Sequence, residues 1–211
     1  MSTLPQSVPE PFEKSYLKYK ICVSGSADTT FCGPDTYEKT KEIGKHIVTH
    51  NGILVTGATT GVPYWAAIGA KEAGGISIGI SPAASELAHV KSYKLPTDYF
   101  DLIMYTGFDY SGRNLLLVRS ADAVIEVCGR MGTLNEFTIA FEDKKPIGIL
   151  EGCGGISEEI RHIIKLAHKG EGKVVYDTDP KALVERLIEI IDKEKGAPLP
   201  KEDYLHAKRK G

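Results

Sequence analysis

The chain has 211 residues, 42% of them hydrophobic, which suits one sizeable core and a single domain better than two small ones. Its 26 Lys and Arg against 28 Asp and Glu leave a formal charge of −2, so no global positive field points to nucleic acid or an anionic membrane as partner. No apolar run is long enough to span a bilayer and the opening Met1 to Pro11 stretch lacks the regions of a signal peptide, so a cytoplasmic protein is expected.

Residues 1–18 read as a proline-rich arm, and Tyr19 to Gly25 as a first strand. A loop follows, then a helix from about Pro34, where Asp35 with Glu38 resembles a capping box. Gly52 to Gly57 reads as the second strand, and Pro63 lies in the first turn of the next helix, the position that tolerates proline, with Gly74 and Gly75 ending it. Ile76–Ile80, Asp101–Tyr105, Asp122–Val127, Pro146–Leu150 and Lys173–Tyr176 are further strands. Helical patterns fall at Ser111–Ser120, Thr133–Glu142, Ser157–His168 and Pro180–Lys193. The alternation predicts an α/β, Rossmann-like, doubly wound and mostly parallel sheet of about seven strands over residues 19–195, with helices on both faces. Gly196 to Gly211 reads as a charged, exposed tail, its Lys208-Arg209-Lys210 a solvated end and not a nucleic-acid patch.

Cys22, Cys32, Cys128 and Cys153 are scattered without a C-x-x-C pair, which fits reduced thiols with a packing role better than a zinc site or a disulfide framework. His46 and His50 have a spacing that can hold a metal, but Asn51-Gly52 ends their helix at once, and cations near a helix C-terminus explain them better. No metal and no cofactor is expected. Tyr64 and Trp65, at the start of a buried helix, read as core before they read as a stacking platform for a base.

The segment Glu126 to Glu136 carries most chemistry. A buried strand breaks into a glycine turn that opens a helix, where free N–H groups and the helix dipole favour an anion. Gly129, Arg130, Met131, Gly132 and Thr133 are therefore candidate phosphate ligands, and Glu136, one helical turn on from Gly132, stands beside whatever the turn holds. Arg130 has three readings: it closes over the phosphate, it fills space that a substrate needs, or it pairs with Glu126, a charge oddly placed in a buried strand. Ser24, Gly25 and Ser26 after the first strand, and Gly57, Thr59 and Thr60 after the second, are further candidates. Thr59 and Thr60 are also candidate caps of the helix near Pro63.

Arg113 followed by Ser120-Ala121-Asp122, then Cys128-Gly129-Arg130-Met131-Gly132-Thr133-Leu134-Asn135-Glu136, resembles the Lonely guy (LOG) phosphoribohydrolases, once mislabelled lysine decarboxylases. In that family an arginine precedes a Ser-Asp pair that opens a strand ending in P-G-G-x-G-T-x-x-E. The resemblance extends through Val55–Gly61, Gly74–Pro82 and Lys145–Leu150, over roughly residues 19 to 155. The chain departs from the pattern at Cys128 for the proline, at Arg130 for the second glycine, and at Gly57–Pro63 for the G-G-G-x-x-G-L-M loop. It therefore looks like a divergent branch of a wider superfamily that also includes molybdenum-cofactor carrier proteins.

The resemblance implies a homodimer that hydrolyses the N-glycosidic bond of a purine nucleoside 5′-monophosphate such as AMP. It makes Glu136 the catalytic carboxylate and Arg113 its positioning partner. The alternative is a carrier of a nucleotide or of the molybdenum cofactor, without turnover. A dinucleotide oxidoreductase is discounted, because Gly25-Ser26-Ala27-Asp28-Thr29-Thr30 is not G-x-G-x-x-G.

Overall fold

The computed structural model describes residues 18–195, so the expected arm up to residue 17 and the tail from residue 196 lie outside the described residues. Strands Lys20–Gly25 (β1), Ile53–Thr56 (β2), Ser77–Ser81 (β3), Leu102–Tyr105 (β4), Ala123–Val127 (β5), Ile147–Leu150 (β6) and Val174–Asp177 (β7) form one seven-stranded sheet. Its order is β4-β3-β2-β1-β5-β6-β7, and every pairing is parallel. The helices between them are Thr36–Thr49 (α1), Val62–Glu72 (α2), Asp109–Ser120 (α3), Met131–Glu142 (α4), Ile160–Ala167 (α5) and Pro180–Lys195 (α6).

Parallel strands covered on both faces need apolar residues at successive positions, and β5 and β6 are buried along their whole length. Alternation then divides the core in two. Ile21 and Val23 of β1 meet Ile43 and Ile47 of α1, Ala66 of α2 and Leu183 of α6 on one face. Cys22 and Val124 meet Leu117 of α3, Phe137 of α4 and Ile160 of α5 on the other. Glu126, two residues on from Val124 in β5, therefore points to the α3–α4 face. At the β4 edge, Leu102 and Met104 are about half exposed.

Local expectations differ from the structure in three places. Asp35 is the N-cap of α1 but makes no side-chain cap bond, because it sits in a helical conformation within a turn already closed by Thr36 N–H donating to the Gly33 carbonyl. The expected helix at Ser157–His168 divides into a 3-10 turn, Gly155–Glu159, and α5. Between β3 and β4, Ala88–Ser92 forms one π-helical turn that no apolar period announces. Buried His89 pins it, joining Ser81 Oγ at 2.8 Å and the Pro96 carbonyl at 2.9 Å.

The cysteines require a correction. Cys32 and Cys128 form a disulfide with Cα atoms 5.8 Å apart, while Cys22 and Cys153 are free and buried. The pairing is invisible to local spacing because it joins the loop after β1 to the turn after β5, which only the sheet order makes neighbours.

Candidate functional site

Strand order reverses between β1 and β5, so the connections leaving their carboxyl ends diverge to opposite faces and open a crevice, the usual ligand position in an open α/β sheet. A cleft of about 510 Å³ lies there, contributed by the loops after β1 and β2, by α3 and by the start of α4.

Cys128 and Gly129 both have positive φ, +56° and +89°, and together they reverse the backbone at the end of β5. Arg130 then caps α4 in an extended conformation without a side-chain cap bond. Leu134 N–H is the donor that reaches back to the Arg130 carbonyl, at 3.0 Å, so the amides of Met131, Gly132 and Thr133 precede the helix ladder. All three residues line the cleft. From behind, Ser157 N–H and Ile156 N–H donate to the carbonyls of Cys128 and Gly129 and fix the turn.

Glu136 and Arg113 are not surface charges, being 6% and 5% exposed. Arg113 Nη1 donates to Glu136 Oε1 at 3.3 Å, and the Ser24 hydroxyl donates to Oε2. Asn114, with its amide nitrogen turned toward them, donates to Glu136 Oε1 at 2.7 Å and to the Tyr110 carbonyl at 2.9 Å. Burial raises the Glu136 pKa, and the Arg113 charge and the Ser24 hydrogen bond oppose that rise. Gly57 is the wall behind the guanidinium, since a Cβ there would lie 2.0 Å from Arg113 Nη1. Arg113 Nε has no protein partner.

Beneath this pair lies a second carboxyl. Glu126 is wholly buried, neither of its oxygens makes a hydrogen bond, and it is the register partner of Ser24 across β1 and β5. Burial first, then the charge of Glu136, push its pKa well above the ordinary carboxylate value, and the nearby Ser24 hydroxyl only partly opposes them. The folded protein therefore binds this proton more tightly than the unfolded chain does. Its stabilising effect is full below the unfolded pKa and is lost as pH rises toward the folded one. Glu126→Gln, which cannot ionise, should gain thermal stability over wild type progressively as pH is raised from the ordinary carboxylate range to neutrality. Melting curves that stay parallel across that range would count against a protonated Glu126.

Arg130 does not pair with Glu126. Its Nη1 meets Asp28 Oδ2 at 3.0 Å on the rim, so the strand acid and the turn arginine are separate features. The strand directs Glu126 inward, and the turn carries Arg130 out to solvent, with its side chain 61% exposed.

The structure brings Ser24, Gly25, Ser26, Gly57, Thr59, Arg113, Arg130, Met131, Gly132, Thr133 and Glu136 around one crevice, and Gly129 shapes its turn. Thr60 is apart from it and donates to the Ala27 carbonyl at 3.2 Å. Neither threonine caps α2, whose N-cap is Gly61 with no side-chain bond. Asp28, Tyr110, Asn114 and Asn135 line the cleft but escape the sequence reading. The adjacency of Asn114 to Arg113 and of Asn135 to Glu136 was the available signal. Tyr64 and Trp65 pack against Tyr99 and Tyr37, outside the cleft. His50 Nδ1 lies 2.8 Å from the His46 carbonyl, and among the described residues no group of three or more His, Cys, Asp or Glu is placed to hold a metal.

The model of the SLOG cluster4 family matches residues 18–184, which takes in the whole sheet and both sides of the cleft. The chain belongs to the SLOG cluster4 family. Among relatives of this SLOG cluster4 protein, an uncharacterized protein of Archaeoglobus fulgidus is 31% identical over 120 residues, 57% of this chain and 74% of that one. The molybdenum cofactor binding protein of Rippkaea orientalis is 29% identical with a TM-score of 0.66, covering 85% of this chain and 99% of its own. The molybdenum cofactor carrier protein of Chlamydomonas reinhardtii is 30% identical with a TM-score of 0.66, covering 82% and 98%.

Proposed function

We propose that the cleft binds a purine nucleoside 5′-monophosphate and hydrolyses its N-glycosidic bond, giving free base and ribose 5-phosphate. The observation that carries this reading is the buried Arg113–Glu136 pair, set one helical turn from the free amides that open α4. Those amides and the helix dipole suit the 5′-phosphate. Breaking the C1′–N bond develops positive charge on the ribose, which the Glu136 carboxylate stabilises. Water adds to C1′ as the bond's electron pair leaves with the base; Glu136 takes the water's proton and gives it up, directly or through solvent, to the departing base nitrogen, so that neutral base is released and the carboxylate is restored. A carboxyl with its pKa raised by burial is a better base for that step than an ordinary surface glutamate. Arg113, which lines the cleft and pairs with Glu136, sets its positive charge beside the bound nucleotide.

The second reading is a carrier of a nucleotide or of the molybdenum cofactor. Arg130 favours it by standing where the LOG pattern has its second glycine and by pairing with Asp28 on the rim of the cleft. The names of the Rippkaea and Chlamydomonas proteins favour it too. A panel of nucleoside 5′-monophosphates, with free base followed by chromatography, separates the two. Base release supports the hydrolase, and ligand-induced thermal stabilisation without release supports the carrier.

The reading includes a homodimer in the cytoplasm. Leu115 and Leu116 expose apolar surface on α3, as Leu102 and Met104 do on the neighbouring edge strand, and both suit a partner copy. Sedimentation should give twice the monomer mass, and Leu116→Glu should halve it. A wild-type chain sedimenting as a monomer would remove the dimer from the proposal.

A further inference from the structure

The Cys32–Cys128 bridge stands at the root of a clasp over the cleft. Arg130, two residues past Cys128, reaches Asp28 at 3.0 Å. Its guanidinium carbon also lies 5.8 Å from the ring centre of Phe31, the residue before Cys32. Both jaws of the clasp therefore hang from the two half-cystines.

Other ties hold the jaws' outer ends. Val62 N–H donates to the Ser26 carbonyl and Thr60 Oγ1 to the Ala27 carbonyl at one end of the loop, and Gly33 N–H donates to the Cys153 carbonyl at the other. Within the loop, Thr30 bonds Asp28, and Cys32 N–H bonds the Thr29 carbonyl. Residues 28–32 thus reach the phosphate turn through the disulfide and through the Arg130 contacts. The Arg130–Asp28 pair is solvent-exposed on both sides, a setting in which ion pairs hold weakly.

We propose that Cys32 and Cys128 are a redox modification site, whose disulfide locks residues 28–32 over the turn and whose reduction by an external dithiol releases them. Cys32 is partly exposed whereas Cys128 is wholly buried, so attack falls on Cys32 Sγ. A thiolate of the reductant forms a mixed disulfide there and expels Cys128 as a thiolate, which takes up a proton. The reductant's second thiol then displaces Cys32 as a thiol, leaving the reductant as a disulfide and the protein two electrons richer. Burial raises the pKa of the two free thiols, Cys22 and Cys153, which keeps them out of the exchange. In a cytoplasmic protein, the setting proposed above, such a bridge is usually transient or redox-sensing.

A loop freed by reduction must be ordered again when a ligand is enclosed, so the oxidised form binds more tightly. This effect on the ligand rests on the nucleotide reading above; the ordering of the loop does not.

The full chain is to be compared after oxidation and after treatment with dithiothreitol. Alkylation with peptide mass mapping locates the bridge, hydrogen exchange reads residues 26–35, and calorimetry reads AMP. Oxidation should yield the Cys32–Cys128 peptide, and reduction should speed exchange in that loop by about tenfold and weaken AMP binding several-fold. Cys32→Ser should behave as the reduced form under either condition. Absence of the bridged peptide after oxidation, or loop exchange that ignores reduction, overturns the proposal. A freed loop with AMP held equally by both forms overturns its control of the site. A freed loop with AMP bound by neither form leaves the lock standing and defeats the nucleotide reading instead.

Discussion

Glu136→Gln should lower the rate of base release from AMP by about a hundredfold to a thousandfold while leaving the fold intact. The amide keeps the shape of the carboxyl, and with its oxygen at the Oε1 position it still accepts from Arg113 while its NH2, at the Oε2 position, donates to the Ser24 hydroxyl oxygen. What it loses is the negative charge that faces the ribose and the ability to take a proton from water. AMP should still bind, because the proposed phosphate site is the set of amides at the head of α4, which the substitution leaves in place. Single-turnover chromatography of the base, with AMP affinity measured in parallel, separates the chemical step from binding. A Glu136→Gln protein that releases base as fast as wild type would falsify the assignment. The acidic limb of the wild-type pH profile should lie above the ordinary carboxylate range, since burial outweighs Arg113 and Ser24 in setting the Glu136 pKa.

Gly57→Ala should damage the site from the opposite side. The new methyl would lie 2.0 Å from Arg113 Nη1 and 2.7 Å from its Cζ, far inside contact distance. The guanidinium is buried and cannot swing into open solvent without leaving Glu136. Gly57 does not have positive φ, so the backbone accepts alanine and the clash alone decides the outcome. Stability should fall by about 1–3 kcal/mol, the usual effect of overpacking. kcat/KM should fall by about a hundredfold, because a misplacement of ~1 Å at a positioning group has that effect. Thermal melting and steady-state kinetics on one preparation test both parts. An alanine variant with wild-type kinetics would show that Arg113 does not depend on this wall.

The strands were legible because burial on both faces of a parallel sheet leaves continuous apolar runs, as in Ala123–Val127 and Ile147–Leu150. The turn between β5 and α4 was legible because Gly129 and Gly132 interrupt such a run just before a helical pattern. Family spacing pointed to Arg113 and Glu136, but not to their burial, which depends on α3 and α4 packing side by side over β1 and β5. Partnerships across the sheet could not be read from the sequence. Arg130 to Asp28, Ser24 to Glu136, and Cys32 to Cys128 each join segments about a hundred residues apart, and the chain carries no local mark of which strands are neighbours. The inward Glu126 is visible in the sequence as an anomaly, but Arg130, one of whose three readings was to pair with it, meets Asp28 instead, because a strand and the turn that follows it project their side chains differently.

The pairing of β1 with β5 also bears on how the molecule assembles. Every strand from β1 to β4 neighbours the next in sequence, and so does every strand from β5 to β7, so each half can form through local crossovers of about 19 to 27 residues. The β1–β5 seam alone requires closing a chain segment of roughly a hundred residues, the slowest kind of contact to form. Ser24 and Glu136 lie on opposite sides of that seam, and Arg113 lies on the helix that crosses over it. A polypeptide cut between the halves would carry neither a cleft nor its carboxylate pocket until the two pieces docked, so recovery of ligand binding would report the final step of folding.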